Sequence, residues 1–257
     1  MSERTSSTAR ERSDRARAPR IVSLVPSATE TLLALGADVV GCTKYCNQPQ
    51  LPAFGGTKNP DVDAIVTARP DLVVVDTEEN RRDDAKALRG AGLTLVVTAV
   101  RSLAGADDAV RRLAEAAGRP LPDTWGPSSV APAAPRDATP APPGHRAFVP
   151  IWRRPWMTVN RNTYGASLLD SIGVAVVTAD AATEYPTVEL DDIAGLHPSL
   201  VLVPSEPYSF GDAHLHELAT ALPGARVLRV DGEDLFWWGI RSAAARRRLA
   251  EAIGSGG

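Results

Sequence analysis

Short apolar runs, cut by glycine and proline, alternate along this chain with stretches in which apolar residues recur every three or four positions. Residues 21–25 (IVSLV) form a β-branched run that reads as a strand. The next stretch places Leu32, Leu33 and Leu35 on a helix that stops at Gly36. Ser27 with Glu30 three positions on reads as a capping box at its start. Residues 39–43 predict a second strand, and 44–60 (KYCNQPQLPAFGGTKNP) are loop, dense in Pro, Gly and Asn. A short helix over 63–68 ends before Pro70, and a continuous apolar strand over 72–75 follows. Helix 83–90, strand 93–97 and amphipathic helix 103–117 complete this half. After residue 144 the order resumes: strand 145–152, helix 164–172, strand 174–178, helix 190–196, strand 200–203, helix 212–222, strand 226–230 and helix 240–253. Alternating strands and helices imply an α/β fold with mostly parallel sheets.

The two halves share more than their order. DAIVTARPDLVVV (63–75) and DDIAGLHPSLVLV (191–203) align at one offset: 191 − 63, 193 − 65, 198 − 70 and 200 − 72 all give 128. In each copy a short helix stops before a proline, a buried-type strand follows, and a polar, acidic loop comes next. A unit repeated half a chain apart predicts two similar α/β lobes with a ligand cleft between them. The expected division is a disordered tail over 1–19, an N-terminal lobe over 20–118, a connection over 119–144 and a C-terminal lobe over 145–257. The connection carries Pro120, Pro122, Pro127, Pro132, Pro135, Pro140, Pro142 and Pro143, a density that no useful helix tolerates, so it reads as an extended, mobile linker.

Composition narrows the function. A net charge of −3 argues against a general binder of nucleic acid or anionic membrane, and 44% hydrophobic with 23% charged residues is ordinary for a globular protein. The first twenty residues are polar and Arg-rich without an apolar stretch, so they read neither as a secretory signal nor, lacking an Arg pair, as a twin-arginine one. VVGC at 39–42 faintly resembles a lipoprotein cleavage box, but Glu30 and Asp38 interrupt the run before it. The expectation is a soluble, cytoplasmic monomer without membrane insertion. Cys42 and Cys46 are too few for a disulfide scaffold or a structural zinc site, and fit two reduced, half-buried thiols better than a local disulfide.

Most enzyme signatures are absent: there is no G-x-S-x-G, no G-x-x-x-x-G-K and no H-E-x-x-H. His214 and His216, two apart on an expected helix, face different ways and suit a surface helix better than a metal site. The chemistry gathers instead in the loops beyond the strands, where α/β sheets bind ligands. These loops hold Ser27, then Lys44 to Asn47, then WRRPW at 152–156, SEPYSF at 205–210 and DGEDLFWW at 231–238. Only 5% of the residues are aromatic, so the clustering of Trp152, Trp156, Phe210, Phe236, Trp237 and Trp238 is informative. Such a wall suits a bulky, partly apolar ligand with polar arms, with about half of these rings expected to pack in the core.

RIVSLVPSATETLLALG, GCTKYC, the repeated unit, IWRRPWMTV and LVLVPSEPYSF resemble the helical-backbone (class III) ABC-transporter solute-binding proteins, the cobalamin and iron-siderophore receptors, over residues 20–253. The last two segments are most similar to the cobalamin-binding branch. The resemblance implies two Rossmann-like lobes and non-catalytic binding of one cobalamin-like corrinoid or other metal chelate in the cleft, with any metal arriving inside the ligand and no resident cofactor. The expected contacts are Ser27, Tyr45, Trp152, Trp156, Glu206, Tyr208, Phe236 and Trp237. It also implies an ABC permease as partner, met by one carboxylate on each lobe, here Asp63 and Asp191. Two departures stand out: the family carries a secretion signal and joins its lobes with a long rigid helix, where this chain has its proline-rich stretch. Two alternatives remain. One is a cytosolic corrinoid-handling enzyme using Cys46 beside Tyr45 and Lys44; the other is a protein-interaction module reusing the fold.

Overall fold

A computed structural model describes residues 17–123, 125 and 144–254. The first half forms β1 (Arg20–Ser23), α1 (Pro26–Ala34), β2 (Asp38–Cys42), α2 (Val62–Ala68), β3 (Leu72–Asp76), α3 (Arg82–Gly90), β4 (Thr94–Thr98) and α4 (Leu103–Ala116). The second forms β5 (His145–Phe148), β6 (Trp156–Met157), α5 (Tyr164–Asp170), β7 (Val174–Val176), β8 (Thr187–Val188), α6 (Leu190–Gly195), β9 (Leu200–Pro204), α7 (Asp212–Ala221), β10 (Arg226–Val230), α8 (Gly232–Phe236) and α9 (Ser242–Gly254). Two parallel four-stranded sheets result, ordered β2-β1-β3-β4 and β7-β5-β9-β10, each the core of one lobe; β6 and β8 add a small antiparallel ribbon. The two orders correspond strand for strand, as an internal repeat requires.

The repeat is carried down to backbone angles. β3 and β9 span residues 72–76 and 200–204, and α2 and α6 begin at Val62 and Leu190, so both pairs keep the same offset. Arg69 and His197, each just before its proline, are left-handed with φ of 48° and 50°. A residue preceding proline is barred from the helical region, so the helix must end there. The left-handed turn then redirects the chain into the central strand. Asp61 caps α2 by accepting a bond from the Ala64 amide at 3.0 Å.

Two local expectations are corrected. Ser27 is not a cap: Val25 holds that position without a side-chain bond, and Pro26 takes the first helical place, which suits its fixed φ and missing N–H. Glu30 is thereby free to leave its own helix terminus. The strand after residue 144 stops at Phe148 rather than 152, because Pro150 cannot donate to the ladder. Three short elements, β6, β8 and α8, had no expectation attached.

One apolar cluster runs through both lobes. It contains Val25 and Leu32 of the α1 region, Leu103 and Leu113 of α4, Leu168 and Leu169 of α5, Leu235 of α8 and Leu249 of α9. α4 packs on α1 and on α5, and α5 on α8 and α9, so helices of the two halves share one apolar interface. Each fully buried leucine there contributes about 1.5–3 kcal/mol. Polar ties fix the register: the Leu103 amide donates to Ser167 Oγ at 3.1 Å, and the Ile240 amide to Thr31 Oγ1 at 3.3 Å. At Gly239 (φ 110°) the second half lies so close to α1 that a Cβ would sit 2.1 Å from Thr31 Oγ1. The proline-rich connection expected over 119–144 lies outside the described residues except for 119–123, 125 and 144. Among the described residues no helix is long and apolar enough to cross a membrane.

Candidate functional site: the interlobe cleft

The carboxyl ends of both sheets feed the loops between the lobes, and side chains cross from one lobe to the other at both ends of the cleft. At one end Asn47, after β2, donates to Glu233 of α8 at 2.7 Å. Beside it Arg241 grips Glu30 of α1 with two bonds (2.7 and 3.1 Å) and Glu233 with a third (2.9 Å). Its guanidinium also lies 5.1 Å from the Trp237 ring. At the other end the Tyr185 hydroxyl donates to Glu78 at 2.7 Å, and Arg101 bridges Glu78 and Glu184 at 3.0 and 2.8 Å.

Between these ties lie carboxylates to which no cation is bonded among the described residues. The turn after β3 is built by Asn80, which accepts from the Asp76 amide (2.7 Å) and donates to the carbonyls of Leu24 (3.1 Å) and Thr57 (2.9 Å). This turn presents Glu79, half-buried. Burial and the neighbouring Asp76, Cys46 and Glu206 push its carboxyl up to about 8, against the opposing pull of Lys58. Glu206, from the other lobe, is also raised, first by burial and then by Glu233 and Asp231, although it accepts a bond from Trp237 Nε1 at 2.7 Å. Gly232 permits this: a Cβ there would meet the Glu206 amide nitrogen at 2.6 Å.

Below the β2 loop, Cys42 and Cys46 are both buried free thiols. Cys46 Sγ lies 3.3 Å from Thr29 Oγ1 and 3.2 Å from Thr43 Oγ1. Hydrogen bonding from Cys42 first, and from the two threonines, lowers the Cys46 thiol, while Cys42 moves in the opposite direction. Among the described residues no three His, Cys, Asp or Glu side chains gather to hold a metal ion.

An aromatic cluster lines the second lobe. Trp152 meets Tyr208 edge-on at 5.2 Å, Tyr208 tilts on Phe210 at 4.7 Å, and Phe210 stacks on Trp156 at 5.9 Å. Arg153 covers the outer face of Trp156 at 4.7 Å and is held by Glu217 at 2.7 and 3.3 Å.

Placement of the expected contacts is therefore uneven. Tyr45 (52% exposed) and Trp152 (44%) are open to solvent. Glu206 and Trp237 are bonded together and half-buried, as is Tyr208 against Trp152. Phe236 is half-buried, with its ring 3.1 Å from where a Cβ of Gly165 in α5 would stand. Ser27 and Trp156 are buried. Of the six aromatics, Trp156, Phe210 and Trp238 are buried and the other three are not, which matches the expected half. Asp63 and Asp191 are exposed in the first turns of α2 and α6. The sequence does not single out Glu79, Tyr185 or Arg241, and it offers Asn47 only as the end of the Lys44 to Asn47 loop. Glu79 sits in the acidic loop after the repeat, but nothing in DTEEN tells which carboxylate turns inward.

Residues 21–123 match the family of periplasmic binding proteins. The vitamin B12-binding protein of Salmonella choleraesuis is 23% identical over 192 residues, 72% of each chain. That of Vibrio cholerae is 22% identical over 216 residues, 77% of this chain and 74% of the relative. Among solved structures, the periplasmic vitamin B12 binding protein of Vibrio cholerae superposes with a TM-score of 0.71 at 20% identity, covering 92% of this chain and 96% of that one. A periplasmic heme-binding protein from a Roseiflexus species gives 0.74 at 24% identity, covering 93% and 99%. The resemblance to solute-binding proteins and the bilobed α/β fold read from the sequence are both borne out.

Proposed function

We propose that this chain, a bilobed protein of the periplasmic-binding-protein kind, holds a cobalamin-like corrinoid or another metal chelate between its lobes without chemistry, as the binding component of an ABC-type uptake system or a relative of one. The observation that carries this reading is the meeting of both sheets' carboxyl ends across one cleft, with large exposed rings, Tyr45 and Trp152, on the loops that enter it. The vitamin B12-binding and heme-binding relatives point to the same ligand chemistry, a metal already caged in a flat macrocycle. Cys46, the nucleophile of the enzyme alternative, is 1% exposed and occupied by two threonine hydroxyls, which favours a structural thiol.

Cyanocobalamin, hemin and a ferric hydroxamate siderophore, each titrated at micromolar concentration, test the reading through tryptophan fluorescence and equilibrium dialysis. Saturable binding of one of them is expected, weakened at least tenfold by Tyr45→Ala or Trp237→Ala. No binding of any of the three overturns it. The permease role of Asp63 and Asp191 is read separately: Asp63→Lys with Asp191→Lys should leave ligand affinity unchanged and abolish uptake in cells carrying the cognate permease. Unchanged uptake would remove that role.

A further inference from the structure

Beside the Trp152–Tyr208 pair the second lobe holds a pocket of about 400 Å³ lined by Arg153, Arg154, Tyr208, Ala213, His214 and Glu217. Its charges are unequal in a way that matters. Arg153 is spent: Glu217 binds it through two bonds and Trp156 covers its face. Arg154 has no hydrogen-bond or ion-pair partner among the described residues, and its backbone is left-handed with φ of 70°, an uncommon state for a side chain of this size. Asp212, at the nearby start of α7, is taken by Arg229 at 2.6 Å. One uncompensated guanidinium therefore faces the cavity.

The neutral polar groups point the same way. His214 Nδ1 accepts the Gly211 amide at 3.0 Å, which leaves Nε2 as the protonated nitrogen of the neutral ring. The ring is held edge-on between Tyr208 and Phe210, at 5.7 Å from each. The Tyr208 hydroxyl has no partner among the described residues. Guanidinium, imidazole N–H and phenol O–H can each donate, and the one carboxylate among the lining residues, Glu217, is already bonded to Arg153. A cavity that offers donors and one net positive charge is complementary to an oxyanion. The open face of Trp152 beside it suits a flat ring bearing that group.

We propose that this pocket is an oxyanion site that takes a phosphate or carboxylate carried on a flat ring, with Arg154 as the charge and His214 and Tyr208 as neutral donors. The oxyanion belongs either to an arm of the chelate in the cleft or to a separate small molecule; the chemistry is the same.

Calorimetric titration of the full chain in phosphate-free buffer with phenyl phosphate, benzoate and phenol tests it. Phenyl phosphate should bind most tightly, benzoate more weakly, and phenol without measurable heat. Arg154→Gln should weaken phenyl phosphate at least tenfold and Arg154→Lys less, with the melting temperature unchanged because Arg154 is exposed and holds no other group. Equal binding of phenol, or undiminished affinity in Arg154→Gln, overturns the proposal. Competition then assigns the source: a chelate that displaces phenyl phosphate supplies the oxyanion itself, and simultaneous binding makes the site separate. Binding of phenyl phosphate with no chelate binding at all would keep this pocket and overturn the cleft reading.

Discussion

Replacing Glu79 by Gln should make the protein more stable, and more so as the pH rises. Glu79 is raised from 4.5 to about 8 by burial and by the carboxylates around it. A carboxyl whose folded value lies above its unfolded value holds its proton longer in the folded state. Between about pH 4.5 and 8 the folded chain binds more protons than the unfolded one, so stability falls as pH rises through that window. At 1.36 kcal/mol per unit, full expression corresponds to roughly 5 kcal/mol. Glu79 keeps part of its surface open to solvent, where water screens the charge, so about 2–3 kcal/mol is the working figure. Gln keeps the shape and stays neutral. Urea unfolding of both proteins at pH 5 and pH 8.5 should show curves within about 1 kcal/mol at the lower pH and a gap of about 2–3 kcal/mol in favour of Glu79→Gln at the higher. A gap that does not change with pH, or that favours the parent at pH 8.5, refutes the reasoning. Ligand occupancy adds a second reading: should the proposed ligand border Glu79, the pH dependence should change when that ligand is added.

Three other outcomes follow from the packing and hydrogen bonding. Gly239→Ala forces a Cβ to 2.1 Å from Thr31 Oγ1 at a φ of 110° and should cost about 2–4 kcal/mol in urea unfolding, with partial recovery when Thr31→Ala is added. Arg241→Met strands Glu30 and Glu233 and should cost about 2–3 kcal/mol, and a cycle with Glu30→Gln should show coupling of at least about 1 kcal/mol; independence would mean that the bridge between the lobes is idle. Ultraviolet titration of thiolate absorbance should show one group below the ordinary thiol range that Cys46→Ser removes and Cys42→Ser moves upward, whereas an unmoved midpoint in Cys42→Ser would rule out the Cys42 hydrogen bond as its cause.

Much of the architecture could be read from local patterns. The offset between the two DxI…P…L units correctly anticipated equivalent strands in two sheets, because a proline that ends a helix and an apolar run that must be buried act within a few residues of sequence. Ser27 shows the limit of such reasoning: its spacing to Glu30 satisfies a capping box, yet Pro26 at the first helical position moved the start and released Glu30 to Arg241, some two hundred residues away. The site was less legible for the same reason. Tyr45, Trp152, Glu206, Tyr208 and Trp237 sit in loops that their strand-end positions identified. Trp156 and Phe210, with the same local signature, are stacked in the core, and only tertiary contacts separate the two groups. Glu79 and Arg241 acquire their character from groups in the other lobe, which no window of sequence contains.

The apolar cluster that threads α1, α4, α5 and α9 joins the two halves through one shared core. With a ligand in the cleft, a body built this way would resist reporting it by snapping shut. Any partner that touches Asp63 and Asp191 would then feel a caliper with its jaws locked, a span set by leucines far from either carboxylate and indifferent to whether the cleft is full. Loaded and empty forms would have to be told apart by what protrudes from the rim, so the ligand's own exposed face becomes part of the signal.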